Sequence, residues 1–121
     1  MGLVYVSGYV ATGPGAPSIE THFLIDSGAT YSLLTRDLCE RLAIEPVRDM
    51  SFVLADGTQI SRGIGECYVE LPIDGARGHC PVIIGEAGDD ENLLGAVTLE
   101  IFGLMLDPLR REIRPARMLL K

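Results

Sequence analysis

Glycine and proline interrupt this chain so often that its apolar residues fall into short stretches. The 121 residues include 14 glycines and 7 prolines, and residues 13–17 read Gly-Pro-Gly-Ala-Pro, a loop that neither helix nor strand tolerates. Over residues 19–25, apolar side chains alternate with Glu20 and His22, the period of a half-buried strand. Many short strands predict an all-β fold that is closed or sandwich-like, and the length predicts one domain, 1–121.

Further strands, turns and two short helices follow from the same patterns. Thr35 can cap a short helix that ends at residue 42, and residues 96–102 have a helical pattern closed by a glycine. Asp56-Gly57, between apolar runs, predicts a hairpin whose two turn residues both have positive φ, and Asp74-Gly75 predicts a second turn. The other strands are expected at residues 3–10, 31–34, 52–54, 59–60, 66–73, 80–84, 104–106 and 112–114.

Charge and hydropathy exclude two kinds of partner. The formal net charge is −7 and the pI about 4.7, and the arginines near the C-terminus are separated by apolar residues, so we expect no nucleic-acid partner. No apolar stretch approaches the roughly 18 residues of a membrane span. Residues 1–6 lack the basic start of a signal peptide, and Val6 stands where a myristoylation signal needs Ser or Thr, so we expect no membrane partner.

The residues that could hold a metal ion are scattered along the sequence. The cysteines are odd in number and lack CxxC spacing, which predicts reduced core thiols in a cytoplasmic protein. They are Cys39, Cys67 and Cys80. His22 and His79 lack a HExxH context and are expected on the surface or on strand faces. Residues 86–91 predict an exposed acidic loop, with weak Ca²⁺ binding at 89–91 as a minor alternative. Neither a metal nor a cofactor is therefore predicted.

The most informative segment is residues 23–30, in which an apolar run ends at a carboxylate. Phe-Leu-Ile is followed by Asp26, Ser27, Gly28, Ala29 and Thr30. A carboxylate where buried β-structure turns would lie in a cleft of low dielectric. A glycine lets the backbone approach closely, and small side chains leave room for a substrate chain. Asp-Ser-Gly alone is more often an ordinary turn, but the residues around it favour a functional site.

These residues resemble the signature of the retropepsin-like aspartic proteases: two apolar residues, Asp, Thr or Ser, Gly and Ala. Here it reads Leu24-Ile25-Asp26-Ser27-Gly28-Ala29. Residues 53–60 resemble the Ala-Asp-Gly flap of small single-domain prokaryotic members, and Leu93-Leu94-Gly95 followed by helix 96–102 resembles the family's second motif. The resemblance covers essentially the whole chain. It implies the closed β-barrel of the acid-protease fold, with one short C-terminal helix, active as a homodimer.

The resemblance also implies an activity and a role for each motif. An aspartic endopeptidase hydrolyses peptide bonds with a water that two carboxylates activate, and this chain has one such motif, so the second Asp26 would come from another copy. Ser27 would bond across the two-fold axis, Gly28 would line the cleft, and Ala29 would begin the contacts with a peptide substrate. Thr30 completes this supporting loop, and Leu93, Leu94 and Gly95 form the second-motif loop. The flap residues over the peptide would be Ala55, Asp56, Gly57 and Thr58.

The sequence departs from the retroviral members at three places. They carry an Asp where this chain has Thr30 and an Arg where it has Ala96, so the ion-pair network of those two groups is absent. The flap tip is Asp-Gly, without a glycine-rich run and without a tyrosine. A catalytically silent or very narrow peptide-binding dimerisation module therefore stays open as an alternative.

Two nucleotide- or phosphate-handling classes have superficially similar motifs. Residues 26–30 are similar to the phosphate loops of sugar-kinase and actin-like ATPases, and residues 56–58 to a phosphatase motif. The phosphatase motif needs an Asp at the position of Leu54. Both folds also need far longer α/β chains, so we set both aside.

Overall fold

The computed structural model describes residues 3–116, which contain nine strands and two helices. The strands are β1 Tyr5–Ala11, β2 Ile19–Ile25, β3 Ser32–Leu34, β4 Arg48–Val53, β5 Gln59–Glu70, β6 Arg77–Ile84, β7 Asn92–Leu94, β8 Leu104–Asp107 and β9 Glu112–Pro115. The helices are α1 Arg36–Arg41 and α2 Ala96–Ile101. The predicted domain 1–121 and the interpretation of the N-terminus also include residues 1–2 and 117–121, which lie outside the described part.

Six of these strands close into a barrel. Around it the order is β1, β2, β7, β3, β6 and β5, and β5 pairs with β1 to complete the ring. β4 pairs with the first half of β5 as an antiparallel hairpin, and β8 and β9 form a separate two-stranded sheet. The structure therefore confirms the prediction of an all-β closed barrel and excludes the sandwich.

Parallel pairing decides which loops meet. β2 and β7 run parallel with Ile25 opposite Leu94, whereas β3 runs antiparallel to β7. Because parallel neighbours finish at the same end of a barrel, the residues that follow β2 and β7 come together there. These residues are Asp26 and Gly95, which belong to the two motifs singled out in the sequence.

Inward-facing residues of alternating positions fill the barrel. Phe23, Leu34 and Leu94 have 0% of their surface exposed, and Ile25 has 6%. Burying a side chain of this size contributes about 1.5–3 kcal/mol to folding. The apolar run before Asp26 is therefore one wall of the core, and it fixes where the carboxylate emerges.

The three cysteines are buried and free, which confirms their prediction as core thiols. Cys67 and Cys80 are direct cross-strand partners between β5 and β6. The neighbouring Cys80 thiol and burial raise the pKa of Cys67 far above its usual range. Cys67 therefore stays a protonated, unreactive thiol at neutral pH.

Both short helices lie where the sequence predicts them, each ending one residue earlier. In α1 the Thr35 hydroxyl accepts a hydrogen bond from the Leu38 N–H at 3.4 Å, so Thr35 is the cap. α2 begins after Gly95, and Gly103 follows it with a φ of 67°, as a closing glycine requires. α2 is the C-terminal helix of the predicted fold.

Neither α1 nor α2, the two helices of the described part, is long and apolar enough to cross a membrane.

The first Asp-Gly turn differs from its prediction. The Leu54 N–H donates to the Thr58 carbonyl at 2.8 Å, and the Gly57 N–H donates to the Leu54 carbonyl at 2.9 Å. The loop is therefore three residues long, 55–57, and only Gly57 has positive φ, at 87°. The prediction of a two-residue turn with positive φ at both Asp56 and Gly57 is wrong, because a three-residue loop needs only one such residue.

The strand predicted to run on to residue 73 ends earlier. β5 ends at Glu70, because Pro72 has no N–H to continue the ladder. A turn follows, in which the Ala76 N–H donates to the Ile73 carbonyl at 2.9 Å and Gly75 has a φ of 79°. The strands predicted separately at residues 59–60 and 66–73 are one continuous strand, β5, and β7 was not predicted as a strand. The remaining predicted strands are present, with ends shifted by a few residues.

Candidate active site

Asp26 lies at the exit of β2, where its backbone is fixed by both neighbouring strands. The Asp26 N–H donates to the Leu94 carbonyl at 2.9 Å, and the Ile25 N–H donates to the Val4 carbonyl at 2.8 Å. Asp26 itself is half-buried. The strand therefore delivers the carboxylate to the surface at a fixed position.

The residues after Asp26 form a tight loop that faces solvent in the single chain. The Gly28 N–H donates to the Asp26 Oδ1 at 3.1 Å, and the Ala29 N–H donates to the Asp26 carbonyl at 3.1 Å. Ser27, Gly28 and Thr30 are exposed, and Ala29 is half-buried. The turn interpretation of Asp-Ser-Gly is thus correct as local geometry, and the turn holds one carboxylate oxygen of Asp26 in place.

The close backbone approach expected at Gly28 is found at Gly95 instead. A Cβ atom on Gly28 would meet only the Asp26 Oδ1, at 3.4 Å, which is an ordinary contact. A Cβ atom on Gly95 would lie 2.5 Å from the Tyr31 carbonyl oxygen and 2.9 Å from that of Ala29. Of these two motif glycines, Gly95 is therefore the one that steric contact within one chain requires.

The second motif supports the Asp26 loop directly. The N–H groups at the start of α2 have no partner within the helix. Here the Ala96 N–H donates to the Ala29 carbonyl at 2.8 Å, and the Val97 N–H donates to the Thr30 carbonyl at 2.9 Å. Leu93 and Leu94 lie on β7 beside β2, so the predicted residues 93–95 and 26–30 form one connected unit.

Two buried hydroxyls complete this support, and the sequence analysis missed them. The Ser32 Oγ accepts from the Gly95 N–H at 3.0 Å and lies 2.6 Å from the Thr98 Oγ1. Their exposed fractions are 2% for Ser32 and 0% for Thr98. The available signal was a hydroxyl residue on the inner side of an otherwise apolar strand and helix, because such groups are buried only when hydrogen-bonded.

The predicted flap is the exposed end of the β4–β5 hairpin. Residues 55–58 are all exposed, and Val53 and Leu54 expose 69% and 44% of their surface. Hydrogen bonds from the Thr58 side chain and N–H lower the pKa of Asp56. The ring of Phe52 meets that of Tyr31 at a centroid distance of 6.3 Å, nearly perpendicular. This contact connects the hairpin to the residue that follows the Asp26 loop.

One outward-facing residue from each barrel strand forms a continuous row, which we call the outer row. Cross-strand pairing connects its members in sequence around the barrel. They are Tyr5, Leu24, Leu93, Leu33, Ile83 and Ile64. None of them belongs to the interior cluster. Ile64 is 1% exposed, and the other members except Tyr5 are half-buried. Leu24 and Asp26 point to the same side of β2, so the outer row is the apolar surface beside the carboxylate.

The acidic loop 86–91 is less free than predicted. The Asp89 Oδ2 accepts from the Arg62 Nη1 at 2.7 Å and from the Glu86 N–H at 2.8 Å. These bonds, the one from Glu86 first, lower the pKa of Asp89. The expectation that Asp89 is a solvated loop residue is wrong, because it ties the loop to β5. Within residues 3–116, no group of three His, Cys, Asp or Glu side chains is arranged to hold a metal ion.

Comparison with protein families gives one match. The model of the family described as "gag-polyprotein putative aspartyl protease" matches residues 18–100. The match includes the Asp26 loop, the flap and the second motif. A comparison with curated proteins gave no match.

Several solved structures are similar to this chain. EIAV protease, in a complex with an inhibitor, is 17% identical, with a TM-score of 0.50 over 94% of this chain and 91% of that one. The retroviral protease-like domain of Ddi1 from Leishmania major is 18% identical, with a TM-score of 0.56 over 98% of this chain and 91% of that one. At these identities the likeness concerns the fold alone, and the fold is that of retropepsins.

Proposed function

The chain belongs to the gag-polyprotein aspartyl protease family, and from this premise we propose that it is an aspartic endopeptidase whose catalytic pair is Asp26 of two identical chains. Two carboxylates that share one proton can act together, one as general base on a water and the other as general acid toward the peptide carbonyl. Each chain supplies one Asp-Ser-Gly motif and one barrel. A homodimer with two-fold symmetry would therefore complete the site.

The observation that carries this proposal is how firmly Asp26 is held beside an exposed loop. The Leu94 carbonyl fixes its backbone and the Gly28 N–H fixes one of its oxygens. The start of α2 holds the end of the loop 27–30, most of which is open to solvent. A carboxylate held this way is pre-organised for chemistry. An exposed loop of small residues is suited to meeting its symmetry mate.

The remaining motif residues take supporting roles in the proposal. Ser27 bonds across the two-fold axis, and Gly28 and Ala29 contact the peptide backbone. Thr30 and residues 93–95 hold the loop, and residues 55–58 close over the peptide. The substrate enters as an extended strand, a common mode of peptide recognition.

Replacing the carboxylate tests the proposal. Asp26→Asn keeps the size of the side chain and removes its acid–base function from both subunits at once. We expect loss of peptide hydrolysis with the dimer still folded, measured by peptide cleavage and by sizing. Asp90→Asn, at an exposed acid, is the matched control and should keep activity near that of the parent. Cleavage by Asp26→Asn comparable to that of the parent would disprove the mechanism.

Dilution tests the dimer separately. Because the site is incomplete in one chain, activity per chain should fall as dimers dissociate. Full activity from a sample shown to be monomeric by sedimentation would exclude the shared pair. The location in the cytoplasm and the extent of the domain, 1–121, stay predictions.

The alternative is a peptide-binding dimerisation module without peptidase activity. It is favoured by the absence of the Asp and Arg that retroviral members carry at Thr30 and Ala96, where backbone hydrogen bonds alone connect the loop to α2. The alternative predicts that the parent protein dimerises and binds extended peptides but cleaves none of them across a diverse library.

A further inference from the structure

On the outward face of β2, the apolar surface beside Asp26 is followed by an acidic residue, Glu91. Leu24 precedes Asp26 by two residues on this face, and Leu93 lies beside Leu24 in parallel register. The first pair in this register is Phe23 with Asn92. The same register, extended by one residue toward the start of both strands, places Glu91 beside His22. At about 3.3 Å per residue, Leu24 lies about 7 Å and Glu91 about 13 Å along the strands from Asp26.

Glu91 is held at this position by an aromatic neighbour. The Tyr5 hydroxyl donates to the Glu91 carboxylate at 2.9 Å, and the Tyr5 ring stacks on His22 at a centroid distance of 4.9 Å and an angle of 4°. The hydrogen bond to Glu91 raises the pKa of Tyr5, so the phenol stays neutral. Glu91 itself is exposed.

Two carboxylates of the loop 86–91, those of Asp89 and Glu91, differ in their cationic partners. Asp89 is bonded to Arg62, whereas no arginine of residues 3–116 forms a salt bridge with Glu91. A carboxylate without an arginine partner in the described residues, beside apolar Leu24 and Leu93, is complementary to a side chain with an aliphatic stem and a cationic head. The net charge of −7 adds a long-range attraction for cationic peptides.

We propose that Glu91 is a specificity-determining residue that selects lysine or arginine at the substrate positions next to the scissile bond. The stem of that side chain lies on Leu24 and Leu93, and its cation bonds to Glu91, with Tyr5 fixing the carboxylate. A two-fold dimer contains two such subsites, so the preference applies on both sides of the bond. This inference rests on the proposed function, because Asp26 defines where the bond is cleaved.

Matched peptides test the preference. Each pair differs only in lysine against norleucine, which has the same stem without the cation, at the residue before or after the cleaved bond. We expect kcat/KM of the parent to be about tenfold higher for the lysine peptide, as for a hydrogen bond to a charged group. Glu91→Gln should cleave both peptides alike, and Asp90→Asn should keep the preference. Equal cleavage by the parent, or a preference unchanged in Glu91→Gln, would overturn the inference.

Binding separates failure of this inference from failure of the proposed function. If the parent cleaves no peptide, the proposed peptidase is wrong, and the same pairs made as hydroxyethylene analogues, which cannot be hydrolysed, are measured by calorimetry. Binding of the lysine analogue about tenfold tighter than the norleucine analogue, lost in Glu91→Gln, would still support the subsite. Equal affinity for both analogues, or no binding of either, would refute it.

Discussion

The N–H of Ala96 donates to the carbonyl of Ala29 at 2.8 Å, so the first turn of α2 is bonded to the loop that carries Asp26. A second bond of the same kind joins Val97 to Thr30. Retroviral members of the fold carry an acidic and a basic side chain at Thr30 and Ala96. Here backbone groups, which cannot be titrated, make the connection. We therefore expect the loop to keep its position across a wide range of pH and salt.

Gly95→Ala should destabilise the protein although it adds only a methyl group. The new Cβ atom would lie 2.5 Å from the Tyr31 carbonyl, so the loop or α2 must shift. Such overpacking costs about 1–3 kcal/mol of unfolding free energy, measurable by urea denaturation. Gly13→Ala is the control, because nothing lies within 4 Å of its Cβ position and its effect should stay within about 0.5 kcal/mol. Equal stability of the two variants would contradict this close contact at Gly95.

Ser32 and Thr98 should behave as one unit in a double-mutant cycle. Ser32→Ala removes the acceptor of the Gly95 N–H and leaves a buried donor unsatisfied, at a cost of about 1–3 kcal/mol. Thr98→Val removes the other hydroxyl. Because the two oxygens are 2.6 Å apart, the double variant should differ from the sum of the single variants by about 0.5 kcal/mol or more. Strict additivity in urea titrations would show that the bond does not matter.

Asp89 should contribute stability that disappears in acid. Its pKa in the folded protein is lowered below its ordinary value by the Glu86 N–H and by Arg62. A lowered folded pKa stabilises the protein above the unfolded pKa, and the contribution is lost as the pH falls through the folded value. Asp89→Asn should therefore lose stability at neutral pH and show a shallower decline below about pH 4. Asp90→Asn should keep the slope of the parent, and an unchanged slope in Asp89→Asn would count against the assignment.

The flap should exchange its amide hydrogens quickly in the free protein. Residues 55–58 are exposed, and two backbone bonds, between Leu54, Gly57 and Thr58, close the loop. Such segments open at low free-energy cost. Hydrogen exchange over residues 55–59 should be fast and should slow when a peptide-like inhibitor binds. The same exchange rate with and without that inhibitor would argue that the hairpin does not cover the peptide.

Local patterns predicted the elements that depend on local chemistry. The alternation over residues 19–25 matches β2, and Thr35 caps α1 as a hydroxyl does at that position. The prediction for the Asp56-Gly57 turn was wrong because an Asp-Gly pair fits loops of two or three residues. The register of the flanking strands decides between these two lengths. The dipeptide alone does not specify how the flanking strands pair.

The missed contacts all join residues that are distant in the sequence. Ser32 and Thr98 are 66 positions apart, and Arg62 and Asp89 are 27 apart. Neither pair has a spacing that a helix or strand period would reveal. The path of the chain around the barrel brings them together. Only this topology, and not a local pattern, identifies Ser32 and Thr98 as supports of the Asp26 loop and Arg62 as the partner of Asp89.

Closure of the barrel by β1 and β5 also controls how this protein meets other chains. Each of the six barrel strands has a hydrogen-bonded neighbour on both sides. Within residues 3–116, β4 and the β8–β9 ribbon lack a second neighbour along their whole length, and parts of barrel strands, such as β6 before Val82, also have one free side. The β4 edge begins with Arg48 and Asp49, and charges of this kind oppose unspecific sheet extension. The fold thus restricts β-sheet growth between molecules, and with it the risk of aggregation, to β4, the ribbon and short parts of the barrel strands.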